Sequence, residues 1–248
     1  MCIRDRWKLL HEVTAGDYLQ SEFVIIEGWS FRQLRDALDS HPDIRHDAQG
    51  LTDTEIMARL GETGSGPEGW FMPETYLFAK GASDLSILAR AHRAMRRQLQ
   101  TAWEGRAAEL PLRSPYEALI LASIVEKETG HPDDRPRIAG VFMNRMRLGM
   151  RLQTDPTVIY GIGEKFDGNL RKRDLLRDTP YNTYTRTGLP PSPIAMPGQA
   201  ALRAALHPDA TDALYFVAKG DGRSQFSSTL DQHNNAVARY QRKAQSGR

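Results

Sequence analysis

The window Ala118-Leu-Ile-Leu-Ala-Ser-Ile-Val-Glu126 constrains the fold more than any other part of the chain. It follows Ser114-Pro-Tyr-Glu117, a strong helix start. Serine caps, proline takes the first helical position, and glutamate three residues after the cap completes a capping box. The helix is expected to run to about Thr129, with Gly130 as its stop. Its run from Ala118 to Val125 contains nothing more polar than Ser123 and must be buried. An acidic residue directly after such a run emerges at the edge of a buried surface, with Ala122 and Ser123 one turn earlier on the same face. Desolvation there raises a carboxyl pKa and keeps a proton available near neutrality, as a general acid requires. The same window also reads as an ordinary helix end, with Lys127 between Glu126 and Glu128.

Around this helix the pattern predicts an α+β fold. Phe23–Glu27 reads as a short β-branched strand broken by Gly28. Ser30 caps a helix from Phe31 to about Leu38, and Thr52 with Glu55 opens another over Glu55–Leu60. The Gly/Ser/Pro run Gly61–Pro67 is the best domain boundary, dividing the chain into residues 1–65 and 66–248. Glu68–Tyr76 is aromatic and turn-rich. Leu85 to about Ala108 is a long helix with Arg90, Arg93, Arg96 and Arg97 on its solvated face. Further helices are expected over Arg135–Leu148, Leu170–Arg177, Gln199–Leu206 and Leu230–Lys243. Thr157–Tyr160 reads as a strand, Thr179–Gly198 as a proline-rich loop, and Leu214–Ala218 with Gln225–Ser228 as a β-hairpin. Helices and hairpins without βαβ alternation give α+β rather than α/β.

Composition narrows the function. The 248 residues carry 33 basic and 31 acidic side chains, a net charge of +2, so no overall electrostatic case exists for nucleic acid. The single cysteine, Cys2, allows no internal disulfide and no cysteine metal site. The seven histidines are scattered, and no P-loop, GxSxG or full dinucleotide fingerprint occurs, so neither metal nor cofactor is called for. The longest apolar stretch falls far short of the ~20 residues of a membrane span. The charged opening Met1–Arg6 does not read as a signal peptide, and the natural start with any anchor is expected to lie upstream.

Three polar stretches have the residue types that bind sugars, in which aromatic faces meet ring C–H groups and amides bond hydroxyls. They are Gln153-Thr-Asp-Pro-Thr157, Tyr181-Asn-Thr-Tyr184 and Asp231-Gln-His-Asn-Asn235. Taken singly, each also reads as a turn, a cap or a loop brace; Asp155 before Pro156 is a turn former, and a lone His233 is commonly structural.

Ala122-Ser-Ile-Val-Glu-Lys-Glu-Thr129, Asn144-Arg145, Arg147 through Gly161, Tyr181–Tyr184, Gly188-Leu-Pro-Pro191 with Ile194-Ala195 and Pro197-Gly198, and Leu214–Val217 with His233-Asn234 occur in that order. In these motifs, over roughly residues 21 to 243, the chain resembles the MltG/YceG family of endolytic murein transglycosylases. The resemblance implies a bacterial envelope enzyme, a carbon–oxygen lyase that cuts glycan strands internally between N-acetylmuramic acid and N-acetylglucosamine. It implies Glu126 as the catalytic glutamate, and glycan-cleft positions at Gln153, Asp155, Tyr160, Asn182, Thr183, Tyr184, His233 and Asn234. It also implies a LysM-like module, here residues 1–65 and shorter than usual, an inner-membrane anchor ahead of it, and work beside the peptidoglycan synthesis machinery.

Two other readings of the residues stay open. A lysozyme-like hydrolase would need a second carboxylate, with Glu128, Asp155 and Glu74 as candidates. Glu128 lies about 200° round the helix from Glu126. A non-catalytic glycan-binding scaffold would need no acid at all.

Overall fold

The structure, a computed structural model, describes residues 20–64 and 66–245. The charged opening segment lies outside them. The elements in chain order are β1 (Gln20–Val24), α1 (Phe31–Asp39), α2 (Asp53–Arg59), β2 (Thr75–Ala79), α3 (Asp84–Glu104), α4 (Pro115–Glu128) and α5 (Asp134–Arg147). They continue with α6 (Asp155–Ile162), α7 (Lys172–Leu176), α8 (Gln199–Leu206), β3 (Tyr215–Ala218), β4 (Ser224–Ser227) and α9 (Leu230–Gln245). Helices and two small antiparallel sheets make the fold α+β.

Helix α4 is the centre of the larger core. Every residue from Ala118 to Val125 is buried. Helices α3, α5 and α8 pack around it, with α8 making the broadest contact. Phe142 and Met143 on α5 and Leu202 and Leu206 on α8 complete this cluster. Burying an apolar side chain is worth roughly 1.5–3 kcal/mol, so a helix apolar on all sides is held wherever neighbours can enclose it. The start is built as the sequence implies, with one change. Ser114 Oγ accepts the Glu117 N–H at 3.3 Å, but the Glu117 carboxylate accepts from the N–H of Arg113, one residue before the cap, at 2.6 Å.

A second core lies beneath β1 and β2. Phe23, Leu34, Phe71, Tyr76 and Leu88 belong to one cluster, which draws residues from both sides of the Gly/Ser/Pro run at 61–67. β1 pairs antiparallel with β2, from Gln20 opposite Ala79 to Val24 opposite Thr75.

The elements depart from the sequence reading in three places. Thr157–Tyr160 is not a strand; it lies within helix α6. Pro156 in the first helical turn and the Thr157 Oγ1 bond to the Thr154 carbonyl at 2.8 Å start a helix, outweighing the β-branched run. Strand β2 went unforeseen, although Thr75–Ala79 alternates exposed and buried side chains. The first strand sits further upstream than Phe23–Glu27, which leaves Glu27 in the turn before α1. Among the described residues no helix is long and apolar enough to cross a membrane.

One buried hydrogen bond fixes the long proline-rich loop against α4. Ser123 Oγ donates to the Ile120 carbonyl at 2.7 Å and accepts the Ile194 N–H at 3.0 Å. Replacing Ser123 by alanine leaves that amide unpaired in the core. The expected loss is about 1–3 kcal/mol of unfolding free energy, measured by urea denaturation with an unchanged m-value.

Candidate active site

Glu126 leaves the last turn of α4 with its side chain only 6% exposed. Both carboxyl oxygens are held. Oε1 accepts from Arg135 Nη2, in the first turn of α5, at 3.3 Å, and Oε2 accepts from the Gly198 N–H, at the head of α8, at 2.9 Å. Burial pushes the Glu126 pKa up, the Gly198 N–H pulls it down, nearby Glu27 pushes it up again, and Arg135 pulls it down. The net direction is upward, so the proton is retained above the ordinary carboxyl range.

The turn from Glu27 to Trp29 lies against this carboxyl. Gly28 N–H donates to the Met196 carbonyl at 2.8 Å, and Met196 N–H donates back to the Trp29 carbonyl at 2.7 Å. Lys127 Nζ donates to the Gly28 carbonyl at 3.1 Å. The Glu27 side chain then lies across Gly198: a Cβ there would sit 1.8 Å from Glu27 Oε1.

The residues expected to line a glycan cleft fall into separate places. Gln153, Asp155, Thr183 and Tyr184 gather around Glu128, on another side of α4 from Glu126. Thr154 Oγ1 donates to the Glu128 carboxyl, and Thr183 Oγ1 accepts the Thr154 N–H at 3.1 Å. Gln153 adopts a left-handed backbone (φ 52°) and its side-chain oxygen accepts from Arg145 at 3.3 Å. Tyr184 OH donates to Asp155 at 2.5 Å. Asn182 is buried, its amide donating to the carbonyls of Asp174, Leu175 and Arg177 and so closing the end of α7. His233 stacks on Tyr215 with ring centres 5.2 Å apart, and burial together with Arg145 lowers its pKa. Asn234 is exposed on α9.

Tyr160 belongs to a third place, a groove of about 1580 Å³ running between α1 and α6. Trp70, Tyr116, Tyr160 and Tyr181 line it, and Gly28 and Lys127 bring its rim to the neighbours of Glu126. In its wall Glu68 accepts the Tyr160 OH at 3.0 Å and the Phe31 N–H at 3.0 Å. Desolvation pushes the Glu68 pKa up to about 7 against these bonds. The sequence reading missed Glu27, Arg135 and Glu68. The only available signals were the Glu-Gly pair after the first strand and the arginine just past the Gly130 break. For metal binding, Asp39, His46 and Asp84 bring one ligand atom each within 4.8 Å of one another. None of them lies on an element that holds Glu126, and both Asp84 oxygens already accept the Ala48 N–H.

The YceG-like family model matches residues 4–239. The chain belongs to the YceG-like family. Among its relatives, an endolytic murein transglycosylase of Bacillus subtilis (strain 168) is 43% identical over 175 residues, which cover 70% of this chain and 48% of that protein. An endolytic murein transglycosylase of Streptococcus pneumoniae (serotype 2, strain D39) is 31% identical over 179 residues, covering 70% of this chain and 32% of that one. The YceG-like chain thus spans about half the length of the first relative and a third of the second. A crystal structure of a YceG-like protein from Listeria monocytogenes superposes with a TM-score of 0.70 at 32% identity, covering 92% of this chain and 80% of that one.

The buried acids of this YceG-like chain set its pH response. Burial pushes Glu128 from the ordinary value of 4.5 up to about 7, opposed by the Thr154 bond. Such a group binds its proton more tightly folded than unfolded. Its contribution is complete below 4.5, falls as pH rises towards 7, and changes no further above that. The expected slope is about 1.4 kcal/mol per pH unit for each such group. Glu128→Gln is expected to remove one group's share and flatten unfolding free energies measured from pH 5 to 8, leaving the shares of Glu68 and Glu126.

Proposed function

We propose that this chain is an endolytic lytic transglycosylase that cleaves the bond between N-acetylmuramic acid and N-acetylglucosamine inside peptidoglycan strands. The observation that carries the reading is the sheltered, proton-retaining carboxyl of Glu126 beside an aromatic-lined groove. The name of the bacillary and streptococcal relatives, endolytic murein transglycosylase, supports it.

Glu126 donates its proton to the bridging oxygen as the bond from that oxygen to muramyl C1 breaks. The carboxylate that results accepts the proton of the muramyl C6 hydroxyl, whose oxygen bonds to C1. The product is a 1,6-anhydro end, no water is consumed, and the acid returns to its starting state. One group serves both half-steps because the nucleophile belongs to the substrate and its effective molarity replaces a positioned water. The oxocarbenium-like charge at C1 is eased by the substrate's own acetamido oxygen. A proton affinity raised above that of a free carboxyl suits a group that must first give and then take.

The aromatic groove holds the glycan, with Tyr160 in its wall. Gln153, Asp155, Asn182, Thr183, Tyr184, His233 and Asn234 support the strand or the loops that meet it. The N-terminal part, residues 1–65, serves as a LysM-like glycan-holding unit ahead of a catalytic part at 66–248. The working place is the cell envelope, with the catalytic part outside the inner membrane on an anchored full-length protein, alongside peptidoglycan synthases.

Glu126→Gln keeps the shape and removes the transferable proton. The expected outcome is loss of strand cleavage by a factor of 10² or more with an unchanged melting temperature and retained binding to sacculi. The check is digestion of purified glycan strands read by mass spectrometry. Wild type should release fragments with anhydro ends. Reducing ends would mean a hydrolase, and normal turnover by Glu126→Gln would remove Glu126 from the chemistry.

A further inference from the structure

We propose that Glu27, from the turn before α1, is the charge partner of Glu126, a positioning carboxylate that holds the acid's proton in place until the glycosidic oxygen takes it. The inference rests on the transglycosylase reading and adds a residue to it.

The geometry starts from Gly198. Its N–H binds Glu126 Oε2 at 2.9 Å, and its Cα faces the Glu27 side chain so closely that a Cβ would meet Oε1 at 1.8 Å, Cδ at 2.3 Å and Cγ at 2.9 Å. One glycine therefore separates the two carboxyl groups. The residue type follows from this closeness: only a position without a Cβ lets both acids approach the same backbone unit. The turn that carries Glu27 is not loose. Two backbone hydrogen bonds pair Gly28 and Trp29 with Met196, and Lys127 Nζ is drawn to the Gly28 carbonyl. Gly28 itself has φ +78°, so the turn needs a glycine at that point.

Among the described residues, the charged groups gathered at Glu126 are Arg135, Glu27 and, bound to the Gly28 carbonyl, Lys127. Arg135 from α5 and the Gly198 N–H favour the carboxylate, and Glu27 opposes it. Without Glu27, a guanidinium and a helix-head amide would act on the acid with only burial against them, and the proton would leave at lower pH. A second negative charge, on the exposed Glu27, adds to burial, which is the larger influence, in holding the proton. Once Glu126 has given its proton away, two carboxylates face each other across Gly198, and the repulsion favours abstraction of the C6 hydroxyl proton. Glu27 needs no contact with the sugar for this.

The test compares wild type, Glu27→Gln, Glu27→Asp, Gly198→Ala and Glu126→Gln as full-length chains on purified glycan strands, with kcat and KM followed from pH 5 to 9 and products read by mass. Glu27→Gln keeps side-chain volume and hence burial of Glu126, and removes the charge. The alkaline limb of kcat/KM, where Glu126 loses its proton, is expected to move towards acid by about half a unit, a roughly threefold loss above it, with KM and melting temperature unchanged. Glu27→Asp should recover part of the shift. Gly198→Ala displaces Glu27 without altering it and should move the limb the same way. Carbon-13 NMR titration of the Glu126 carboxyl reads the same shift without turnover. An unmoved limb and titration in Glu27→Gln would overturn the proposal, as would equal loss at all pH values with a lowered melting temperature. So would reducing ends in wild type that vanish with Glu27→Gln, since Glu27 would then be activating water. Full activity of Glu126→Gln would instead sink the transglycosylase reading, a result separable from all of these.

Discussion

The enclosure of α4 on every side is the constraint from which the rest of the molecule follows. Eight consecutive side chains, Ala118 to Val125, lie out of water, so neighbours must be supplied all round. Helices α3, α5 and α8 supply them, and the proline-rich loop closes the remaining side through Ser123. The helix can leave this enclosure only at its end, and there the first polar residue is Glu126. Its sheltered state thus follows from where the apolar run ends.

Chemical usefulness then depends on balance. Burial alone would favour a permanently protonated acid; Arg135 and the head of α8 alone would favour a permanent carboxylate. A donor and acceptor of the same proton must sit between these extremes. Glu128, two residues on, shows what the same helix produces without that balance. Its carboxyl turns to Thr154, deep against the loop at 153–155, where it braces structure. Position around the helix axis therefore separates an acid facing α5 and α8 from one bound into a loop.

The helices were legible in the sequence because their signals are local. Ser30 caps α1 and Thr52 with Glu55 forms the capping box its spacing implies, and α8 begins and ends where expected. Thr157–Tyr160 misled because β-branched residues suggest a strand, whereas Pro156 in a first turn decides for helix. β2 was hidden because its partner lies some 50 residues away, and pairing is what makes Thr75–Ala79 a strand. Of the site, Glu126 was legible because an apolar run announces its own exit. Arg135 and Glu27 were not, since each matters only through where α5 and the first turn dock. The amide of Asn182 looked like a sugar ligand for a related reason: the sequence shows the donor groups but not the three carbonyls at the end of α7 that already accept them.

The paired backbone hydrogen bonds between Gly28–Trp29 and Met196 join parts of the chain about 170 residues apart. The segment that carries Met196 also carries Gly198, so the same docking that pairs it with the first turn delivers the amide that binds Glu126. A chain cut before that segment would lack both.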